Sequence, residues 1–236
     1  MHILFFFMFD THMLKNNSIY KYHYFVKKLI KKGDTVIDIG ANLGYYSGIF
    51  RRLVKNSGKV ICFEPMPPFF NVLTWAYSSK TNMTLHNVAL GNENKTTKIF
   101  QPNPEKSYFR TGLSSIANQD TDLKKGITYD IEMKKGSSLL ENLHEIQYIK
   151  MDIEGYEKIV LQELEGIIKK YQPIVQVEIW EGNRDEVFLL MEKLSFQRYS
   201  LYKNKLIKDF DNSIEPGDYL FIHKTKETEI LERLQN

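Results

Sequence analysis

Cysteine is nearly absent. Cys62 is the only one among 236 residues, which excludes an internal disulfide and suits a reducing, cytoplasmic setting. Inside an apolar strand it reads as a small core side chain. Long hydrophobic runs are missing too. The apolar opening, residues 1–9, falls short of the ~20 residues a membrane span needs, and it lacks a basic start and a cleavage site. That opening is expected to be an ordered strand or docking segment. Charge of one sign is equally scarce: 32 Lys and Arg against 29 Asp and Glu leave +3, too little to imply a nucleic-acid partner. The lysine pairs at 27/28, 31/32, 124/125, 134/135 and 169/170 are scattered and decorate solvated faces. His86, His144 and His223 are isolated, and no His/Cys cluster has zinc-like spacing. A divalent metal on Asp152 and Glu178 is conceivable but not favoured. No repeat or linker divides the chain, so residues 34–236 read as one domain, with 1–33 packed on its core.

Two familiar nucleotide signatures are also absent. Dinucleotide folds carry G-x-G-x-x-G, but the middle glycine is replaced by Asn42 here, and no G-x-x-x-x-G-K-[ST] loop occurs. What stands instead is Val36-Ile37-Asp38-Ile39-Gly40-Ala41-Asn42-Leu43-Gly44-Tyr45-Tyr46-Ser47. Val36, Ile37 and Ile39 suit a buried parallel strand, and Tyr46, Ile49, Phe50, Leu53 and Val54 follow a helical period. Gly40 and Gly44 bracket the crossing, where backbone can approach a ligand. A ligand with adenosine but no phosphates fits this turn, and S-adenosylmethionine meets that description. Asp38 would then face its cationic amino-acid half, with Ala41, Asn42 and Ser47 nearby. The plainer alternative is that Asp38 only caps the next helix.

The run Lys59-Val60-Ile61-Cys62-Phe63-Glu64 ends in a carboxylate 26 positions after Asp38. An acid leaving the second strand, roughly 20 residues on in related folds, can accept hydrogen bonds from both ribose hydroxyls. Pro65, Pro67 and Pro68 close that strand and open a helix whose inward face is Phe69, Val72, Leu73 and Ala76. Further on, Tyr148-Ile149-Lys150-Met151-Asp152-Ile153-Glu154-Gly155 places two acids where a buried strand ends. Ligands of open α/β sheets sit beyond the carboxyl ends of strands, so Asp38, Glu64 and Asp152 are expected to converge. Glu178 lies in an otherwise apolar strand; burying an unpaired carboxylate is costly, so a partner or a pocket is implied. Asp152, Glu154 and Glu178 are the candidates for catalytic base or acceptor orientation, with the choice among them open.

Strand patterns near 35–39, 59–64, 83–87, 146–152 and 173–180 alternate with helical ones, and two more near 196–202 and 217–223 suggest a closing hairpin. The expected fold is therefore α/β: a mostly parallel seven-stranded sheet with a final antiparallel hairpin and helices on both faces. The Pro-, Asn- and Ser-rich stretch 101–119 reads as a functional loop or lid.

Taken together, the strings VIDIGANLGYYS (36–47), FEP (63–65), NVALG (87–91), LSSI (113–116), KMDIEGYE (150–157), QVEIWE (176–181) and DYLFI (218–222) resemble the FkbM-type S-adenosylmethionine-dependent methyltransferases. The resemblance runs from about Asp34 to Lys224. It implies a Rossmann-like class I methyltransferase sheet and cofactor contacts around Asp38, Gly40, Asn42, Gly44, Glu64 and the adjoining Pro65. It also implies Asn87 and Val88 near the adenine and transfer to an oxygen; Asp152 is the first choice near the reacting centre. The function expected is O-methylation of a hydroxyl on a small molecule or glycan, a sugar hydroxyl being favoured, with Tyr108, Phe109 and Arg110 of the lid as an acceptor surface. Two rival classes stay open: an RNA methyltransferase using the scattered lysines, and a noncatalytic binding protein that keeps the fold.

Overall fold

The computed structural model describes residues 2–102, 115–116, 126–179, 181–209 and 217–235. Two helices, α1 (His2–Asp10) and α2 (Lys21–Leu29), precede β1 (Thr35–Ile39), α3 (Tyr45–Val54), β2 (Lys59–Phe63), α4 (Pro67–Tyr77) and β3 (Met83–His86). Four strands follow: β4 (Ala89–Gly91), β5 (Lys95–Pro102), β6 (Ser115–Ile116) and β7 (Gly126–Lys135). Then come α5 (Gly136–Leu140), β8 (Tyr148–Met151), α6 (Glu157–Glu163), α7 (Glu165–Tyr171), β9 (Ile174–Ile179) and α8 (Arg184–Lys193). The last elements are β10 (Phe196–Tyr202), β11 (Lys205–Lys208), β12 (Gly217–His223) and α9 (Glu227–Gln235).

The main sheet has eight strands in the order β11-β10-β12-β9-β8-β1-β2-β3. β9, β8, β1, β2 and β3 are parallel neighbours, while β12, β10 and β11 join antiparallel. The seven-stranded expectation is thus corrected to an eight-stranded mixed sheet. The additional strand is β11. Lys203 and Asn204 both take positive φ, 47° and 62°, the two-residue hairpin geometry whose twist matches the strands it joins. A Lys-Asn pair carries that turn without the usual Asn-Gly signal.

A second correction is a separate four-stranded sheet, β4-β7-β5-β6. β5 and β7 alternate exposed Lys98, Asp130 and Glu132 with buried Ile99, Ile131 and Met133, so only one face joins a core. Leu43, Met66 and Phe69 pack against that face. Residues 103–114 and 117–125, with Tyr108, Phe109, Arg110 and Ser114, lie outside the described residues.

Every residue of β1 and β8 is buried, because side chains alternate between two covered faces. Over one face lie α1, α2 and α3, with Phe9, Tyr22, Val26 and Phe50 meeting Val36 and Val60. Over the other lie α6, α7 and α8, meeting Ile37, Ile149 and Val175. Phe9 and Phe50, 2% and 0% exposed, each contribute about 1.5–3 kcal/mol by burial. The opening residues form a helix, not a strand. Phe5, Phe6 and Phe9 share one helical face and fill the first core.

Candidate active site

The glycine-bracketed turn is tied to the end of β2 by backbone. Gly40 and Ala41 both donate their N–H groups to the Phe63 carbonyl at 2.9 and 3.0 Å. Gly40 has φ +78°, and a Cβ there would collide with the Asp152 carbonyl oxygen. Gly44 has φ +83°, and a Cβ would run into Leu73 and Tyr77 of α4. Both glycines are therefore demanded by packing between elements, where the sequence pattern suggested room for a ligand. Leu43, in the same turn, is linked to α1: its carbonyl oxygen lies 2.5 Å from His2 Nε2.

Glu64 is 4% exposed at the end of β2. Its Oε2 accepts the Asn42 N–H at 2.7 Å and its Oε1 the Met66 N–H at 2.8 Å. Burial pushes the carboxyl up to about 7, although both backbone donors and Lys150 act in the opposite direction. Asn87 supports this acid from behind, donating its amide to the carbonyls of Glu64 and Pro65 at 2.8 and 3.1 Å.

A row of polar side chains runs across the sheet beneath α2 and α3. Asp38 sits opposite Lys150 of β8, and Lys150 opposite Gln176 of β9. Asp38 is fully buried; its Oδ2 accepts the Ser47 hydroxyl at 2.6 Å, and its Oδ1 has no hydrogen-bond partner among the described residues. Burial raises its carboxyl, and Lys150 counters that. The pleat directs Asp38 under α3, where it meets Ser47, and it is not part of the cleft lining. Lys150, 4% exposed, lies 3.1 Å from Asp152 Oδ2 and 5.1 Å from the Tyr46 ring centroid. Asp152, Asp38 and Glu178 together outweigh its desolvation and hold it charged. Gln176 continues the row, accepting from Tyr148 and donating to Asp218 at 2.6 and 2.8 Å.

Glu178 pairs in register with Asp218. Burial first, then Asp152 and Asp218, push it up to about 8, with Lys150 opposing. Its carboxyl takes no hydrogen bond among the described residues. The loop beyond β8 is shaped by buried Glu157, whose Oε1 accepts the Gly155 N–H at 2.9 Å, and by Asn183, which donates to the Gly155 carbonyl at 2.6 Å.

Between the turn, the end of β2 and this loop lies a cleft of about 670 Å³, open mouth included. Gly40, Asn42, Glu64, Pro65, Val88, Asp152 and Glu154 line it; Asp38, Ala41, Gly44, Ser47, Asn87 and Glu178 do not. Among the described residues its charged lining is entirely acidic, with Glu64, Asp152 and Glu154 and no Lys, Arg or His. Lys150, Asp218 and Gln176 were missed as functional residues because a charged residue inside a string such as KMDIEG gives no sign of facing inward. Among the described residues no group of three or more His, Cys, Asp and Glu is placed to hold a metal. Between Asp152 and Glu178 the positive charge is the Lys150 ammonium.

Parallel strands with acids beyond their carboxyl ends, helices on both faces and a reversed edge define a Rossmann-like methyltransferase fold, and solved structures agree. An FkbM methyltransferase from Methylobacillus flagellatus KT superposes with TM-score 0.53 at 14% identity, over 81% of this chain and 44% of that one. A putative rRNA methylase from Clostridium thermocellum gives 0.53 at 14%, over 87% and 94%. A putative methyltransferase from Streptococcus mutans, in complex with S-adenosylhomocysteine, gives 0.51 at 12%, over 87% and 96%. At such identities the likeness concerns the fold alone, and this chain spans less than half of the first neighbour. No curated protein matches the sequence. The family described as the Methyltransferase FkbM domain matches residues 38–202, and the chain belongs to that family.

Proposed function

We propose that this chain is an S-adenosylmethionine-dependent O-methyltransferase acting on a hydroxyl of a small molecule or glycan, a sugar hydroxyl first among them, with Glu178 as its base. The observation that carries the cofactor reading is the lining of the cleft. Three acids, with no basic residue among the described lining, suit a cation and disfavour phosphate, while Phe63, Val88 and Leu90 offer an apolar wall for a flat ring. Glu64 fits the nucleoside: each oxygen takes one backbone N–H and keeps a lone pair for a hydroxyl. Glu64 would hold the ribose, and Asp152 and Glu154 the cationic end. When bound, the cofactor supplies an already activated methyl group.

The chain's own tasks are alignment and proton removal. Lys150 holds Asp152 in the lining of the cleft, and Glu178, which lies outside that lining, takes the proton of an acceptor hydroxyl reaching past Asp152 in the fraction of molecules where its carboxyl is ionised. Its raised proton affinity makes it a stronger base than an ordinary carboxylate. A base here suits an oxygen acceptor, since an alcohol must lose its proton as the new bond forms. Alignment contributes roughly 7–11 kcal/mol and a placed base about 10²–10⁴ in rate, so positioning outweighs proton transfer.

The test uses methyl-labelled donor with fractionated extract, followed by identification of the labelled species. With the acceptor in hand, Glu178→Gln should lower turnover about 10²- to 10⁴-fold while leaving S-adenosylhomocysteine affinity unchanged. Full turnover in Glu178→Gln, with the loss appearing in Asp152→Asn, would move the base to Asp152. Label found in RNA would end the small-acceptor reading.

A further inference from the structure

Helix α1 is apolar on every side. His2, Phe5, Phe6 and Phe9 are buried, whereas Ile3, Leu4 and Phe7, on one opposite face, are 84%, 63% and 59% exposed. Met13 and Ile19 follow at 65% and 73%, and α4, whose Tyr77 ring meets that of His2, exposes Trp75 at 78%. Large apolar side chains held outward on one face of a packed helix mark a contact surface.

Charge selects what covers it. Residues 1–33 hold six lysines (15, 21, 27, 28, 31 and 32) and one acid, Asp10, a balance of +5 in a chain whose total is +3. The remaining residues therefore sum to −2. Two cations flank its buried face: Lys27 Nζ lies 4.2 Å from the Phe9 ring centroid and the Arg52 guanidinium 4.0 Å from that of Phe6. Asp10, the only acid of the segment, is already paired with Arg52 at 2.8 Å. From residue 11 to residue 33 no acid offsets the lysines.

We propose that α1 docks on an anionic lipid surface, with Ile3, Leu4 and Phe7 entering the acyl boundary and the surrounding lysines meeting headgroups. An apolar edge on a segment with a clear excess of positive charge is the pattern of an interfacial helix. Such a surface accepts scattered lysines without demanding fixed partners, whereas a protein groove would require matched acids. No helix among the described residues is long and apolar enough to cross a membrane, so the contact is peripheral. The inference is independent of the proposed chemistry.

Sedimentation of the full chain with vesicles tests it. Binding is expected to mixed phosphatidylcholine and phosphatidylglycerol vesicles, not to phosphatidylcholine alone, and should fade at high salt. Phe7→Glu, at an exposed position that leaves the core intact, should weaken binding about tenfold or more. Lys28→Gln and Lys32→Gln should each weaken it about fivefold. A wild-type chain that ignores anionic vesicles, or a folded Phe7→Glu that binds as well as wild type, overturns the proposal. A dimer abolished by Phe7→Glu, without vesicle binding, would make a second copy the occupant. RNA binding indifferent to Phe7→Glu would assign the lysines to nucleic acid, and either outcome ends the lipid reading. S-adenosylhomocysteine affinity, measured on the same variants, should not change, which separates this failure from failure of the methyltransferase reading.

Discussion

Lowering the pH from 7.5 to 5.5 should weaken S-adenosylhomocysteine binding about 25-fold, entirely through Glu64. In the free protein its carboxyl is pushed up to about 7 by burial, so at pH 5.5 nearly every molecule carries the proton there. Two ribose hydroxyls would add two donors to the backbone N–H groups of Asn42 and Met66. A carboxylate accepting that many hydrogen bonds stays ionised well below this range. Binding therefore expels the proton, and each pH unit below about 7 costs tenfold, or 1.4 kcal/mol. Calorimetry in buffers of different ionisation enthalpy reads both the affinity and the proton released. Glu64→Gln should flatten the pH dependence and, at pH 7.5, lower affinity by about 1.5–3 kcal/mol. The wild-type and variant curves should approach each other toward pH 5.5. A flat wild-type curve, or the same slope in the Gln variant, refutes the reasoning.

The other perturbations follow from burial and contact. Lys150→Met removes the cation shared by Asp152, Asp38 and Glu178 and should cost about 3–5 kcal/mol; adding Asp38→Asn should recover part of the loss, and unaltered denaturation curves would dismiss the network. Gly40→Ala should destabilise by at least about 2 kcal/mol, because the methyl meets the Asp152 carbonyl; the melting temperature should fall with or without cofactor. The folded values of Glu64 and Glu178 lie above the ordinary 4.5, at about 7 and about 8. The stability these groups lend is therefore complete below pH 4.5 and lost as pH rises through 7 and 8. Urea titrations of the ligand-free protein should show that decline, and a rising profile over the window would contradict the burial of these acids.

How much of this was legible in the sequence depends on the kind of signal. The turn at Gly40 to Gly44 and the acid at Glu64 were readable, because a strand, a bend and a helix leave a change of period. The reason for the glycines was not: the collision that forbids a side chain at Gly40 comes from Asp152, more than a hundred positions away. Lys150 carried no role in the sequence pattern, and only the pairing of β8 with β1 sets it opposite Asp38. Glu178 was legible as an acid that needed company, but Asp218, its neighbour in register, was not. β5 and β7 were overlooked because one face of each is solvated, so charged residues interrupt the apolar pattern. The hairpin to β11 escaped because Lys203 carries a left-handed turn usually left to Asn or Gly.

The contact between His2 and the Leu43 carbonyl makes the first helix a strut for the glycine-bracketed loop, which is proposed above to hold the nucleoside. Seating the strut and closing the loop are thereby linked, and thermodynamic reciprocity makes the linkage equal in both directions. A force that lifts the leading helix loosens the grip on the donor by some amount, and an engaged donor resists that lifting by the same amount.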